Sequence, residues 1–247
     1  MRRLSTRFNL LVNGSRHLLF PRCCLFCHAA MNADGGCCGD CLASIEVLDS
    51  HCCRRCGAPL PADFAPGPCG SCLKAPPFQQ QTISLFVYRG AVRDAILAWK
   101  LQGEDAALRW LMQTASGRLK EIFRPGDILL PVPMPLSRMQ KAGQHHAAEL
   151  CKIMAAICDC GWEWRLLRRV GEQPRQSSLS GAARRNNLRR AFRADAARWQ
   201  KIAVQGRIWV VDDILTTGST LHFAAKALRP LSMDISAFSL ARVLADR

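Results

Sequence analysis

Four Cys-x-x-Cys pairs crowd the first third of this chain and limit what it can fold into more than any other feature: Cys24/Cys27, Cys38/Cys41, Cys53/Cys56 and Cys69/Cys72. Two thiolates with two residues between them can face one ion, and a second such pair completes tetrahedral all-sulfur coordination, which selects Zn²⁺. The gaps within successive couples are ten and twelve residues. The spacing predicts two zinc ions, the first two pairs on one and the last two on the other, although an interleaved pairing satisfies the same spacing. Cys23, Cys37 and Cys52 each directly precede a ligand, so the register is open by one residue, and His28 and His51 adjoin the pairs. A closed four-cysteine set exists without either histidine. Saturated thiolate sites leave no open position for catalysis, and this Gly- and Pro-rich segment holds little apolar material, so the metal is read as structural and as the source of folding free energy.

Beyond the Pro-rich link Ala75–Phe78, apolar runs alternate with helical stretches, the signature of a parallel α/β sheet. Strands are expected over Thr82–Tyr88, Asp127–Val132, Ile208–Asp213 and Asp234–Val243, with another near Trp164–Val170. Helices are expected over Val92–Trp99, Ala106–Phe123, Ala147–Ile157 and Ser219–Leu228. Three segments result: an amphipathic helix over 1–20, a double zinc-ribbon domain over 21–77 and an α/β domain over 78–247. At 247 residues, 49% of them apolar and 21% charged, the chain has material for one ordinary domain plus a small appendage.

Within the α/β domain, the strand Ile208–Val211 runs into Asp212 and Asp213, and the chain turns through Thr216, Thr217 and Gly218 into a helix beginning near Ser219. Carboxyl ends of parallel strands are where such sheets bind ligands. A helix N-terminus offers unpaired amides and the positive end of its dipole, so a 5′-phosphate can rest against Thr216–Thr220 with hydroxyl donors beside it. Gly218 permits close approach. Asp212 and Asp213 can accept hydrogen bonds from the vicinal hydroxyls of a ribose. Fragments of this pattern also arise as plain capped turns with a solvated acidic pair; the complete set is more specific.

Read whole, Asp212-Asp213-x-x-Thr216-Thr217-Gly218-Ser219-Thr220 resembles the phosphoribosyl pyrophosphate (PRPP) signature of phosphoribosyltransferases. With zinc knuckles ahead of it, the chain resembles the ComF/GntX family, linked to competence and DNA utilisation. The likeness extends through Tyr88–Arg93 with Trp99-Lys100, through Asp127–Met134, and through Gln176, Leu179, Arg185, Asn187 and Ala191-Phe192. It implies an α/β fold, a type I phosphoribosyltransferase-like parallel sheet flanked by helices, with a small N-terminal four-cysteine zinc-ribbon domain. It implies PRPP or a related ribose 5-phosphate as ligand, Mg²⁺ held by pyrophosphate and ribose oxygens, and phosphoribosyl transfer, a glycosyltransferase reaction. Beside the expected pyrophosphate loop, Arg138 and Lys141 are the positive donors a leaving pyrophosphate needs. Together with Asp212 and Asp213 they are the candidate catalytic groups. His145 and His146, at a helix start, read as exposed or capping groups. Where the family usually shows Arg-Gly-Phe-Asn-Gln, this chain has Ala142-Gly143-Gln144-His145-His146 and keeps only the glycine. Recognition of the sugar phosphate is therefore placed ahead of turnover, and no segment names the acceptor.

Charge supplies a second expectation. The formal net charge is +15, and between Arg165 and Arg207 eleven Arg and one Lys face only Glu172 and Asp195. That stretch carries +10 and points to a polyanionic partner. Arg184, Arg185, Arg189 and Arg190 are spaced to form a cationic stripe, and with Trp164 and Trp199 they make single-stranded DNA a candidate partner, alongside DNA-uptake proteins. The rival reading is a solvated basic face with core tryptophans. No apolar run approaches the ~18 residues of a membrane span, and the N-terminal Leu10–Val12 is too short for a signal-peptide core. Close-paired thiols suit a reducing compartment, so the expected location is the cytoplasm.

Overall fold

Apolar runs of Val, Ile, Leu and Phe become strands as the alternation requires, and the computed structural model describes them within residues 22–31, 35–170, 188–202 and 204–244, with the backbone alone at 138, 141 and 142. The helix expected over 1–20 lies outside those residues. The described strands are β1 (Gln81–Val87), β2 (Ile128–Pro131), β3 (Gly161–Trp162), β4 (Leu167–Arg169), β5 (Phe192–Ala194), β6 (Ile208–Leu215) and β7 (Ile235–Arg242). The helices are α1 (Gly39–Ala43), α2 (Gly70–Lys74), α3 (Gly90–Gln102), α4 (Ala106–Thr114), α5 (Ser116–Ile122), α6 (Leu136–Ala142), α7 (His146–Cys158), α8 (Ala196–Trp199) and α9 (Ser219–Ala227).

By its contacts the chain divides into two units, Met1–Ile45 with Arg89–Trp110, and Glu46–Tyr88 with Leu111–Arg247. In the first, α1 packs on α3, and the Ser44 hydroxyl accepts from the Ala91 amide at 3.1 Å. Phe26 meets the edge of Trp110, whose indole N–H donates to the Gly35 carbonyl at 2.8 Å.

The second unit is built on a five-stranded sheet in the order β1-β7-β6-β2-β3, parallel at every pairing. Strand β7 is buried along almost its whole length and β6 along its first half, as expected when helices cover both faces of a parallel sheet. Successive side chains point to opposite faces. Ile208, Val210, Ile128 and Leu130 pack with Leu221, Ala224, Ala225 and Leu228 from α9 and its C-terminal end. Trp209 and Phe238 point the other way and meet Phe123, at the end of α5, edge to face at 4.8 and 5.2 Å between centroids. α7 packs on α5, β2 and β6. Asp127, buried just before β2, accepts from the Arg207 amide at 2.8 Å and the Trp209 indole at 3.0 Å and so ties the starts of β2 and β6 together.

The structure departs from the sequence expectation in four places. The single helix expected over Ala106–Phe123 breaks at Ala115, where a residue outside helical geometry caps α5 and Ser116-Gly117 begin a new turn. The strand expected near Trp164–Val170 is shorter and stands outside the main sheet: β4 pairs antiparallel with β5 in a separate ribbon. The fifth sheet position goes instead to the two-residue β3, whose Gly161-Trp162 are too few for a periodic signal. Strand β6 also runs two residues further than expected, through Ile214 and Leu215.

Candidate functional site

Each cysteine set is assembled by the same local device. Cys24 and Cys53 open a tight turn in which His28 N donates to the Cys24 carbonyl at 2.9 Å, and Gly57 N to the Cys53 carbonyl at 2.7 Å. The residue following the second cysteine is left-handed in both, His28 at φ 60° and Gly57 at φ 73°. A short helix then begins at each later pair, α1 capped by Cys38 and α2 by Cys69. The result is two repeats of one ribbon. The sulfurs of Cys24, Cys27, Cys38 and Cys41 converge within 4.8 Å of one another, as do those of Cys53, Cys56, Cys69 and Cys72. Pairing is thus successive, and His28, His51, Cys23, Cys37 and Cys52 stand outside both clusters. The His51 ring faces the Pro61 carbonyl at 2.8 Å instead.

The donor chemistry fits a tetrahedral ion. Burial opposes a charged sulfur at Cys24, yet the amides of Cys27, Cys38 and Phe26 outweigh it and bring the thiol to about 6. Cys53 reaches about 6 in the same way, burial being overcome by the amides of Cys69, Cys56 and Arg55. Their partners, crowded by these sulfurs, rise: Cys56 to about 11 through burial first, and Cys41 and Cys72 further in the same direction. Four sulfurs that cannot all ionise beside one another need a cation, and Zn²⁺ would neutralise them.

At the other end of the chain, β6 delivers its acidic pair to the carboxyl edge of the sheet. From β2 the chain proceeds outward to β3, whereas from β6 it proceeds the opposite way to β7, so the crevice between β2 and β6 is the topological switch point. Asp212 and Asp213 lie there, both half-buried, within the strand rather than beyond it. An Asp212 carboxylate oxygen accepts from the Asp213 amide at 3.0 Å. Thr216 and Thr217 follow, exposed, and Gly218 at φ 76° caps α9 with no side chain in the way. Thr217 Oγ1 and Ser219 Oγ lie 3.1 Å apart, and Ser219 and Thr220 open the helix half-buried. The first-turn amides of α9 have no carbonyl a turn earlier to bond.

The opposing wall is the segment after β2. Val132 N donates to the Val211 carbonyl at 2.8 Å, which fixes the two strand ends side by side. Pro133, Met134 and Pro135 then lead into α6. Arg138 and Lys141 fall on α6, their side chains outside the description. His145 caps α7, its Nδ1 accepting from the Ala148 amide at 3.2 Å, and its Nε2 lies 3.4 Å from the Met134 amide. Burial lowers its pKa while the nearby Asp213 raises it, with burial prevailing. Capping was the sequence reading for this residue; His146 is buried instead of exposed. Of the segment that departs from the family pattern, His145 thus reaches the crevice, against the Met134 amide.

Among the basic residues, Arg189 and Arg190 are exposed at the end of a short turn, and Arg184 and Arg185 lie outside the described residues. The two tryptophans separate: Trp164 is exposed, whereas Trp199 packs against the apolar core. Trp199 is therefore a packing residue. Sequence reasoning missed Arg168 and Arg193 as a pair, because their proximity follows from the β4–β5 register alone.

A parallel α/β sheet flanked by helices, with two four-cysteine ribbon sites earlier in the chain, defines a zinc-ribbon protein of the α/β class that the sequence reading expected. The double zinc ribbon domain model matches residues 16–73. Over 235 residues the chain is 30% identical to the DNA utilization protein YhgH of Salmonella typhi, covering 92% of this chain and all of the relative. It is 28% identical over 227 residues to competence protein F of Haemophilus influenzae, covering 89% and 96%. It is 21% identical over 215 residues to competence protein ComFC of Bacillus subtilis, covering 83% of each. The chain belongs to the ComF/GntX family. Among the described residues no helix is long and apolar enough to cross a membrane.

Proposed function

We propose that Asp212–Thr220 binds the ribose 5-phosphate part of PRPP or a related compound, in a cytoplasmic protein of natural competence or of the use of external DNA. One observation carries the site reading: the acidic pair lies in the second half of β6 at the topological switch point, and two exposed threonines and the N-terminus of α9 follow within six residues of Asp213. In this reading Asp212 and Asp213 accept from the ribose hydroxyls, and Thr216, Thr217, Ser219, Thr220 and the Gly218 backbone hold the phosphate. Mg²⁺ bound with the pyrophosphate would neutralise charge there, and Arg138 and Lys141 are the side chains proposed to assist. Retained glycosyl transfer would make the protein a phosphoribosyltransferase; with the 142–146 segment replaced, the reading rests on recognition. The relatives named for DNA utilisation and competence support the biological setting and DNA-uptake proteins as partners.

Calorimetric titration with PRPP and Mg²⁺ tests the site. Asp212→Asn with Asp213→Asn is expected to abolish binding while circular dichroism and zinc content stay unchanged. Equal affinity in the double variant would sink the reading.

A second reading is single-stranded DNA handling with the fold kept for binding, and exposed Arg189 and Arg190 favour it.

A further inference from the structure

The β4–β5 ribbon places two arginines where a strand pair ordinarily avoids them. Register sets Leu167 opposite Ala194, Arg168 opposite Arg193 and Arg169 opposite Phe192. Side-chain alternation follows: Leu167 and Phe192 are buried on the inner face, so Arg168 and Arg193 both project from the outer one, exposed. Like charges directly opposite each other in an antiparallel pair destabilise it. Asp195 relieves part of this by accepting from Arg168 Nη2 at 2.7 Å. Counting Glu163–Val170 with Ala191–Arg198, five arginines (165, 168, 169, 193 and 198) stand against Glu163 and Asp195, a surplus of +3. Glu163 is itself engaged by Arg198 at 2.9 Å.

Aromatic surface adjoins this charge. Arg168 Nε donates to the Arg165 carbonyl at 3.4 Å, and the Arg165 guanidinium lies over the Trp164 ring, 4.8 Å from its centroid. Trp164 is 47% exposed, and the same stretch of chain carries Trp162 at 38% on β3. Although Arg165 lies over it, Trp164 keeps enough exposed ring to offer a stacking surface to a planar partner. An open surface concavity of about 400 Å³ on the ribbon is lined by Arg168, Arg169, Arg193 and Asp195 with Val170 and two alanines.

We propose that the outer face of the β4–β5 ribbon, with Trp164 beside it, is a docking surface for single-stranded DNA. Phosphates bridge Arg168 and Arg193 and turn their mutual repulsion into attraction, and an unstacked base covers Trp164. A duplex holds its bases paired and stacked along its length and offers none of them to the indole, so a single strand is the occupant that satisfies both features. The inference rests on the single-strand reading above and gives it a location independent of the Asp212–Thr220 loop.

Fluorescence anisotropy with labelled oligothymidylate tests it on the full-length zinc-loaded chain, with oligouridylate alongside to separate DNA from RNA as the source. Trp164→Ala is expected to weaken binding about ten-fold. Arg193→Ala is expected to weaken it and to reduce the slope of log affinity against log salt by about 0.7. Arg118→Ala, which removes an equal charge elsewhere, serves as control. Unchanged binding in both surface variants would overturn the location while leaving single-strand binding standing, and equal loss in Arg118→Ala would reduce it to unspecific charge attraction. Absence of any strand binding by the unaltered protein would overturn the reading itself. PRPP titration of the same variants should remain unaltered, which keeps the two sites separable.

Discussion

His28 and Gly57 occupy the same position in two copies of one turn, and only Gly57 suits its left-handed backbone. A side chain there brings Cβ too near the following carbonyl, at roughly 1–2 kcal/mol. His28→Gly is therefore expected to raise stability by about 1 kcal/mol, partly offset by chain entropy, with zinc content unchanged. Chemical denaturation of the metal-loaded protein measures it, and a loss of stability would refute the equivalence of the two turns. The reverse change at Gly57 has less room, since a Cβ would meet the Thr82 carbonyl at 3.0 Å. Histidines also set a pH response. His222 Nδ1 accepts from the Phe78 amide at 3.0 Å, and burial, helped by Lys226, lowers its pKa. A folded pKa below the unfolded value of about 6.5 means that the unfolded chain takes up the proton first. This contribution to stability is complete above about pH 6.5 and fades as pH falls towards the folded pKa. His145, lowered by burial, acts in the same sense. Urea midpoints followed from pH 8 to 5 should fall less in His222→Gln with His145→Asn than in the unaltered chain; parallel curves would contradict the assignment.

At the scale of elements, the second ribbon is fastened to the sheet it precedes. Thr82 N and Oγ1, in β1, donate to the Arg54 and Arg55 carbonyls at 2.9 and 2.7 Å, and Arg242, in β7, donates to the Cys56 carbonyl at 2.7 Å. The Arg55 guanidinium returns to Gln80 Oε1 at 2.6 Å and the Pro77 carbonyl at 2.8 Å. Opening this ribbon therefore frees partners along the sheet edge. Metal analysis should find two zinc ions per chain, one for each cluster. Cys53→Ser with Cys56→Ser should remove one ion and speed amide exchange in β1, whereas Cys24→Ser with Cys27→Ser should remove one ion and leave β1 protected. A single ion in the unaltered protein, or the same exchange pattern in both variants, would rule this out. Regular elements were legible because their signal is local: β6 and β7 are long apolar runs, and α7 and α9 carry helical periodicity into capped ends. β3 and the pairing of β4 with β5 were not, since two or three residues hold no period and their partners lie 23 or more positions away.

For the whole molecule, local spacing along the chain was enough to mark the candidate ligating and binding residues. Cys-x-x-Cys spacing names metal ligands because two side chains so close along the chain share a turn whatever surrounds them. An acidic pair followed by Thr-Thr-Gly-Ser-Thr names a strand end and a helix start for the same local reason. Which distant pieces meet followed from the packed fold alone. It chose successive over interleaved cysteine pairing, since each short helix returns its own pair to the preceding turn. It set β6 beside β2, which makes the acidic pair face the Pro133–Pro135 segment and His145 across the switch point. It sent Trp199 to the core and left Trp164 in water, although both stand in the same basic stretch. Strand order and register are settled by burial and hydrogen bonding summed over the whole chain, so they leave no mark at any single position in the sequence.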